Sequence, residues 1–326
     1  MIIRKSKAQM PKDPKSTVSP AAAPRTRTAA RLPPLLAAFV ASQPEEAAAR
    51  NRMREQKAAL VRGVASIPEM RDAIQRVART LPTIEAVPRI HALGPAAFRA
   101  RAEIGLPFVV TGLVDRWPLA GLTQQTLRER FSDLRVRARV GDYVNTAFAP
   151  DRAMQDMSMG EYLDLIASCT HPLPPYLGNL ELRDLNSLCH WPAYFKKMGP
   201  PRFWIGPAGT VTPLHCDYDD NIFAQIWGTK RVFLVPPHHD AFLYTRAANA
   251  ILYGSPFDPE APDFEQFPLA RQASLIECVV SPGELLYVPA GWYHQVRSLT
   301  FSVSANRWAR AMPLALQGEM SGAQPV

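Results

Sequence analysis

The spacing of apolar residues along the chain changes near residue 84. Before that point the spacing is helical, with an Ala-, Arg- and Glu-rich stretch over residues 45–64 and a second apolar repeat over residues 68–79. Beyond it, short apolar runs are separated by Pro and Gly. The pattern predicts two N-terminal helices followed by a β-rich region.

Short strands are predicted throughout this β-rich region. They cover residues 108–113, 135–140, 176–180, 202–205, 211–218, 222–227, 231–235, 275–280, 284–288, 292–297 and 301–308. Helices are expected to interrupt them at residues 123–131 and 158–168. Many short strands with turn residues between them are typical of a sandwich or barrel. We therefore predict a mainly β fold, a sandwich or barrel of the jelly-roll kind, with N-terminal and inserted helices.

Residues 236–273 do not follow the strand pattern. Their periodicity is weak, but they are rich in aromatic residues, namely Phe242, Tyr244, Tyr253, Phe257, Phe264 and Phe267. Loops of this length inside a compact domain are usually functional or disordered. The aromatic content favours an ordered cover over another part of the fold.

Composition narrows the class of protein. The chain has 326 residues, of which 47% are hydrophobic and 20% are charged, as in ordinary globular proteins. No apolar run approaches the roughly 18 residues needed to cross a bilayer, so no membrane association is expected. The four cysteines are scattered, and no secretory signal is recognisable. We predict a cytoplasmic protein, with an organelle transit peptide as the alternative for the basic N-terminus.

The net charge of +8 is concentrated at the N-terminus. Residues 1–32 contain eight Lys or Arg residues and one acid, Asp13, so they account for seven of these charges. Such a tail would attract an acidic partner weakly and in a salt-dependent way. The expected division is a basic disordered tail (1–40), N-terminal helices (41–83), a β domain (84–310) and a C-terminal tail (311–326). The helices either pack on the β domain or form a homo-oligomer with a second chain.

The candidate chemistry lies in the segment Thr-Pro-Leu-His-Cys-Asp at residues 212–217. Alternate side chains of a strand share a face, so His215 and Asp217 lie together. His294, in a later predicted strand, is the expected third ligand. Two histidines and one carboxylate leave three metal positions open for a bidentate 2-oxo acid and dioxygen, a set typical of non-haem iron(II) oxygenases. His-x-Asp alone is common by chance, and a hydrogen-bonded pair without a metal is the competing interpretation.

Longer segments strengthen the metal interpretation. Residues 106–118, 209–231 and 282–294 closely resemble the cupin-like JmjC-type iron(II)- and 2-oxoglutarate-dependent hydroxylases, and the resemblance covers about residues 84–308. It implies a double-stranded β-helix (jelly roll or cupin) that uses Fe(2+), 2-oxoglutarate as co-substrate and O2. It also implies a set of metal ligands and catalytic residues, which are His215, Asp217 and His294.

The resemblance implies a second set of residues around the co-substrate. They are Tyr176, Thr212, Asn221, Lys230, Asn306 and Trp308. Lys230, Thr212 and Tyr176 match residues that bind the distal carboxylate of 2-oxoglutarate. The two asparagines match amides near the co-substrate, and Trp308 matches an aromatic residue close to the metal.

Two positions do not follow simply from the pattern. In an ideal strand Thr212 would face away from His215, so we expect Pro213 to mark a local irregularity. Gly178 stands where an asparaginyl hydroxylase of the family has a larger amide residue that contacts its peptide. The same protein substrate is therefore not expected here.

The expected function is that of a 2-oxoglutarate-dependent dioxygenase that hydroxylates a protein or peptide side chain. Three alternatives remain open at this stage. The substrate could be a small molecule or an RNA base, or the protein could be a cupin metal enzyme that does not use 2-oxoglutarate. The third alternative is a binding module without catalysis, against which an intact ligand set argues.

Overall fold

Two β-sheets that face each other form the body of the protein. The computed structural model describes residues 67–147, 152–247 and 252–310. The predicted helix over residues 45–64 and the predicted tails lie outside this part of the chain. Mainly β architecture of the jelly-roll kind agrees with the fold class predicted from the sequence.

Five α-helices and four 3₁₀ segments occur among the described residues. The helices are α1 (Ile67–Ala78), α2 (Pro95–Ala102), α3 (Gln124–Phe131), α4 (Met159–Ala167) and α5 (Arg183–Asn186). The longer 3₁₀ segments are Pro118–Gly121, Pro237–Phe242 and Pro268–Gln272.

The strands are short and numerous. They are β1 (Arg89–His91), β2 (Phe108–Thr111), β3 (Arg135–Arg139), β4 (Met154–Ser158), β5 (Leu177–Leu180), β6 (Arg202–Gly206), β7 (Val211–Asp217), β8 (Asp219–Trp227), β9 (Lys230–Val235), β10 (Arg246–Ala247), β11 (Leu252–Gly254), β12 (Ile276–Val280), β13 (Leu285–Val288), β14 (Tyr293–Ser298) and β15 (Ser302–Arg310).

The larger sheet has the strand order β1-β2-β13-β8-β15-β6-β5, and the smaller has the order β10-β11-β7-β14-β9-β12. Every pair is antiparallel except β1 with β2. Strands β3 and β4 form a separate ribbon, which meets β5 through a bridge between Arg139 and Tyr176. Antiparallel strands alternate in facing, so each sheet presents one set of side chains to the other sheet.

Apolar side chains fill the space between the sheets at one end. Val109, Phe223 and Leu286 from the larger sheet pack with Val232 and Ile276 from the smaller. Polar residues replace this core at the other end, where the candidate site lies. A pocket therefore lies between the two sheets, where apolar side chains give way to polar ones.

Helices cover the outer face of the larger sheet. Helices α3 and α4 begin where the sequence predicted, at Thr123, whose side chain accepts a hydrogen bond from the backbone of Thr126, and at Ser158, which forms a capping box with Glu161. Helix α2 buries Phe98, whose ring stacks on Tyr194 at 3.8 Å between centroids.

The segment 236–273 is ordered in its described residues, as its aromatic content predicted. It packs on the outer face of the smaller sheet, where Leu243 and Phe257 bury Leu214 and Cys216 of β7. Its strand β11 extends that sheet by pairing with β7. The segment therefore supports the strand that carries the candidate ligands from behind.

Each of the predicted strands corresponds to an observed strand, within one to three residues at the ends. Helix α1 lies within a residue of its predicted bounds and packs on the smaller sheet through Ile74. Strands β1, β4, β10 and β11 and helices α2 and α5 were not predicted. In the described ranges, no helix combines the length and apolarity that crossing a membrane requires.

We expect Phe98→Ala to lower the free energy of unfolding by about 3–5 kcal/mol, since it removes a fully buried ring from an aromatic cluster. Urea titration followed by circular dichroism measures the change. Leu269→Ala is the matched control, because Leu269 is 43% exposed and its truncation should cost less than about 0.5 kcal/mol. Equal losses of unfolding free energy in Phe98→Ala and Leu269→Ala would contradict the placement of Phe98 in the core.

Candidate metal centre

The pairing of β7 with β14 brings two histidines together. His294 lies directly opposite His215 in the antiparallel register, and their ring centroids are 4.3 Å apart. Asp217 is two residues beyond His215 and therefore shares its face. Both imidazoles are buried. One potential ligand atom from each of the three side chains lies within 4.8 Å of the others.

Backbone carbonyls orient both imidazole rings. Nδ1 of His215 donates to the carbonyl of Pro213 at 2.8 Å, and Nδ1 of His294 donates to the carbonyl of Trp292 at 3.1 Å. A proton on Nδ1 leaves the lone pair of Nε2 free to bind a metal. Burial, and then the charge of His294, lowers the pKa of His215 to about 4. The ring is therefore neutral at physiological pH, as metal binding requires.

The carboxylate of Asp217 is also held in position. Its Oδ2 accepts a hydrogen bond from the indole Nε1 of Trp308 at 2.8 Å and lies 3.9 Å from Nε2 of His294. Hydrogen bonds to a ligating carboxylate fix its orientation towards the ion. Two oriented imidazoles and one oriented carboxylate are the donor set of non-haem iron(II) sites. The residues present thus fit this metal.

A β-bulge explains how Thr212 joins the same pocket. His215 pairs with His294, and the next regular pair is Thr212 with Val296. Between these pairs β7 advances by three residues and β14 by only two. The extra residue reverses the alternation of facing along β7. Pro213, which has no backbone N–H to donate, lies within the bulge. The irregularity expected at this proline is therefore found.

All nine candidate site residues from the sequence line one pocket between the sheets, which together with its mouth, open to solvent, encloses about 350 Å³. They are Tyr176, Thr212, His215, Asp217, Asn221, Lys230, His294, Asn306 and Trp308. Sequence reasoning missed Trp204, Phe223 and Val296, which also line it. Residues i and i+2 of a strand share a face, so Asn221 and His294 could have pointed to Phe223 and Val296.

Lys230 is the most unusual group in the pocket. It is 1% exposed, and its Nζ donates to Oγ of Ser304 at 2.8 Å and to the hydroxyl of Tyr176 at 3.4 Å. No carboxylate in the described part of the chain forms an ion pair with it. Burial lowers the pKa of Lys230 to about 7. A buried ammonium without a counter-ion is unfavourable, so the site favours an anionic ligand.

A chain of hydrogen bonds crosses the floor of the pocket. The indole of Trp204 donates to Oδ1 of Asn306 at 2.7 Å, and Nδ2 of Asn306 donates to Oδ1 of Asn221 at 3.2 Å. Each asparagine is buried, so these bonds satisfy groups that would otherwise be costly. The network fixes the two amides beside the metal ligands.

The chain belongs to the cupin-like domain family. The family model matches residues 95–313, a range that contains every residue lining the pocket. Helix α1 and strand β1 precede this range. Proteins similar to this chain carry JmjC names, which agrees with the resemblance seen in the sequence.

Individual relatives match only part of their length. The chain is 42% identical over 133 residues to the lysine-specific demethylase JMJ30 of Arabidopsis thaliana, which covers 41% of this chain and 27% of that protein. It is 33% identical over 158 residues to the bifunctional peptidase and (3S)-lysyl hydroxylase JMJD7 of Homo sapiens, with 42% and 50% covered. It is 34% identical over 124 residues to the tRNA wybutosine-synthesizing protein 5 of Gallus gallus, with 37% and 38% covered.

We expect Trp308→Phe to weaken metal binding by about 10- to 100-fold, because it removes the hydrogen bond that orients Asp217. Competition titration with a chelating dye measures the affinity for manganese(II) or iron(II). Trp227→Phe makes the same substitution at an indole that donates to the carbonyl of Leu119, away from the pocket. An equal effect of both substitutions would show that the indole bond to Asp217 has no special role.

Proposed function

We propose that the protein is an iron(II)- and 2-oxoglutarate-dependent oxygenase that hydroxylates a protein or peptide side chain. The observation that carries the proposal is the buried ammonium of Lys230 in the pocket of the His215, Asp217 and His294 cluster. This ammonium has no carboxylate partner among the residues that the structure describes. A metal ligand set and a separate cation in one pocket match the two ends of a 2-oxo dicarboxylic acid. This combination distinguishes the proposal from a cupin enzyme that binds only a metal.

Each residue then has a defined task. His215 and His294 would bind iron(II) through Nε2, and Asp217 would bind it through a carboxylate oxygen, with three adjacent positions left for the co-substrate and dioxygen. The distal carboxylate of 2-oxoglutarate would accept hydrogen bonds from Lys230 and from the Thr212 and Tyr176 hydroxyls. A hydrogen bond from a charged donor is stronger than one from a neutral donor, so Lys230 should dominate.

The remaining residues shape the reaction space. Bound iron(II) supplies the redox chemistry by which dioxygen and 2-oxoglutarate yield carbon dioxide, succinate and one oxygen atom for a substrate C–H bond. Asn221 and Asn306 hold polar groups at fixed positions beside the co-substrate. Phe223 and Trp308 exclude water from the surroundings of the ligands, which strengthens the electrostatic interactions there.

A protein substrate is favoured by the relatives whose names describe action on lysine side chains. The relative named for tRNA wybutosine synthesis makes an RNA base the second candidate. Because the matched region is at most half of the relatives compared above, their substrates are not transferred to this chain. A purified oligoribonucleotide and a peptide set, each analysed for an added oxygen atom, distinguish the two candidates.

The central test is the visible charge-transfer band of an iron(II)–2-oxoglutarate chelate. The protein is first stripped of copper, nickel and zinc, which bind such sites more tightly than iron, and is then loaded anaerobically. We expect the band in the wild type and none in His215→Ala. Lys230→Met should still bind iron but should need at least about 30-fold more 2-oxoglutarate, because truncating one partner of a buried charge pair costs about 2–5 kcal/mol.

Lys197→Met is the matched control, since Lys197 is exposed and does not line the pocket. It should leave the band and the 2-oxoglutarate dependence as in the wild type. Absence of the band in wild-type protein, or an unchanged band in His215→Ala, would refute the proposed metal site. An unchanged 2-oxoglutarate affinity in Lys230→Met would refute the proposed role of the lysine.

We also expect 2-oxoglutarate binding to weaken as pH rises above about 7. Burial lowers the pKa of Lys230 to about 7, and the carboxylate of bound 2-oxoglutarate would raise that pKa again. Above pH 7 the free lysine is mostly neutral, so binding must take up a proton and weakens as the pH rises. Well below pH 7 the lysine is already protonated, and binding does not depend on pH in this way. Tyr176 stays protonated in this range, because burial raises its pKa to about 12. Calorimetric titrations from pH 6 to 9 should show up to about a tenfold loss per pH unit above 7.

Lys230→Met should remove this pH dependence while leaving that of the metal ligands. An affinity that stays constant from pH 6 to 9 in the wild type would contradict the prediction.

We further propose that the protein works in a reducing compartment, the cytoplasm. Cys169, Cys189, Cys216 and Cys278 form no disulfide in the described part of the chain, and three of them are buried. The weak acidic partner of the basic tail and the homo-oligomer through the N-terminal helices stay predictions.

A further inference from the structure

A second buried cation lies beside the pocket, at Arg139. It is 5% exposed, and its Nε–H is buried without a hydrogen-bond partner. No carboxylate in residues 67–147, 152–247 and 252–310 forms an ion pair with its guanidinium. Burial is the main factor that lowers the pKa of Arg139, and the nearby charge of Arg152 lowers it further. An arginine guanidinium nevertheless stays protonated at physiological pH. Arg139 is therefore a buried charge without a counter-ion among the described residues.

The backbone directs Arg139 towards the pocket. Its N–H donates to the carbonyl of Tyr176 at 2.8 Å, and the N–H of Tyr176 donates back at 3.0 Å. Residues paired in this way project to the same face of a sheet. Because Tyr176 lines the pocket, Arg139 lies on the pocket side of the β3 ribbon.

Aromatic rings hold the guanidinium in one position. Its Cζ lies 5.1 Å from the ring centroid of Trp204 and 5.9 Å from that of Tyr176, both of which line the pocket. The space it occupies exists because residue 178 is glycine. A Cβ at Gly178 would lie 2.9 Å from Cζ and Nε of Arg139 and 3.0 Å from Trp204. Gly178, which stands where an asparaginyl hydroxylase of the family has a larger amide residue, thus leaves the space that Arg139 fills.

2-Oxoglutarate does not account for this second cation. In the proposed function, one carboxylate of 2-oxoglutarate binds the metal and the other pairs with Lys230. The metal ligands contribute a single negative charge, from Asp217, so positive charge remains in excess when the co-substrate is bound. A planar guanidinium fixed between rings matches a carboxylate, which accepts its parallel N–H bonds.

We propose that Arg139 is a specificity-determining residue that selects substrates with an acidic side chain, aspartyl or glutamyl, next to the metal. This inference rests on the proposed function, because it assumes that the pocket admits a peptide substrate. The carboxylate of the substrate pairs with the guanidinium and aligns the neighbouring C–H bonds with the metal. A basic side chain is rejected by the same charge.

The test uses capped peptides Gly-Ala-X-Ala-Gly in which X is Asp, Asn, Glu, Gln, Arg or Lys. Protein loaded with manganese(II) and N-oxalylglycine, which cannot turn over, is titrated calorimetrically with each peptide. The Asp and Glu peptides should bind at least about tenfold more tightly than their Asn and Gln isosteres, and the Arg and Lys peptides most weakly. In the presence of iron(II) and 2-oxoglutarate, mass spectrometry should find the added oxygen atom preferentially on the acidic peptides.

Variants connect the preference to the niche. Arg139→Gln should reduce the difference between the acidic peptides and their amide isosteres, and Arg139→Glu should reverse the order in favour of Arg and Lys. Gly178→Ala leaves Arg139 in the chain but displaces its guanidinium, so it should reduce the preference in the same way as Arg139→Gln. The chelate band serves as the folding control, since a variant that still forms it retains the metal and co-substrate site.

The outcomes separate this inference from the proposed function. If the wild type forms no chelate band, the proposed function fails and the inference fails with it. If the band forms but acidic peptides bind no better than their isosteres, or do not bind at all, the role of Arg139 alone is refuted. Binding of a uridine oligoribonucleotide that depends on Arg139, without binding of acidic peptides, would likewise overturn the carboxylate assignment.

Discussion

The in-register pairing of β7 with β14 is the constraint on which the pocket depends. It sets His215 against His294 on the inner face and, on the outer face, Cys216 against Tyr293. A shift of β14 by one residue would turn His294 towards the apolar outer layer and separate it from His215. The outer layer is therefore part of the site, because its packing against Cys216 and Tyr293 makes any other register unfavourable.

The pocket is an unfavourable environment for the groups that it contains. It buries an ammonium that has no counter-ion within the described ranges and, beside it, a guanidinium with an unsatisfied N–H. Such violations of ordinary burial rules concentrate at functional sites, where the surrounding fold must compensate for them. Here the compensation comes from the apolar core between the sheets and from the aromatic cluster around Phe98. Ligands that supply negative charge would in turn stabilise the folded state.

Much of this arrangement could be predicted from the sequence, because period-two spacing identifies strands and their faces. The pattern located the principal strands and, with the family resemblance, every residue of the candidate ligand and co-substrate sets. It missed β10 and β11, which are too short to show a period. Helix α2 was missed because its apolar residues form no amphipathic repeat.

Arg139 could not be recognised from the sequence for a different reason. Its importance follows from the bridge to Tyr176, which is distant along the chain, and from the absence of a side chain at Gly178. Neither relation leaves a local signature, since Arg135, Arg137 and Arg139 alternate in the way typical of an exposed edge strand. The family resemblance exposed the change at residue 178 but not what occupies the space. Only the three-dimensional arrangement connects the two.

Helix α1 lies outside the region that the family model matches, yet it adjoins the turn that leads to His294. Ile74 occupies the space that a side chain at Gly291 would need, and Arg71 pairs with Asp240, which also accepts a hydrogen bond from Tyr293. A recombinant fragment cut at the family boundary would expose this apolar seam to water and tend to aggregate. Expression boundaries for the catalytic unit should therefore be chosen upstream of residue 67.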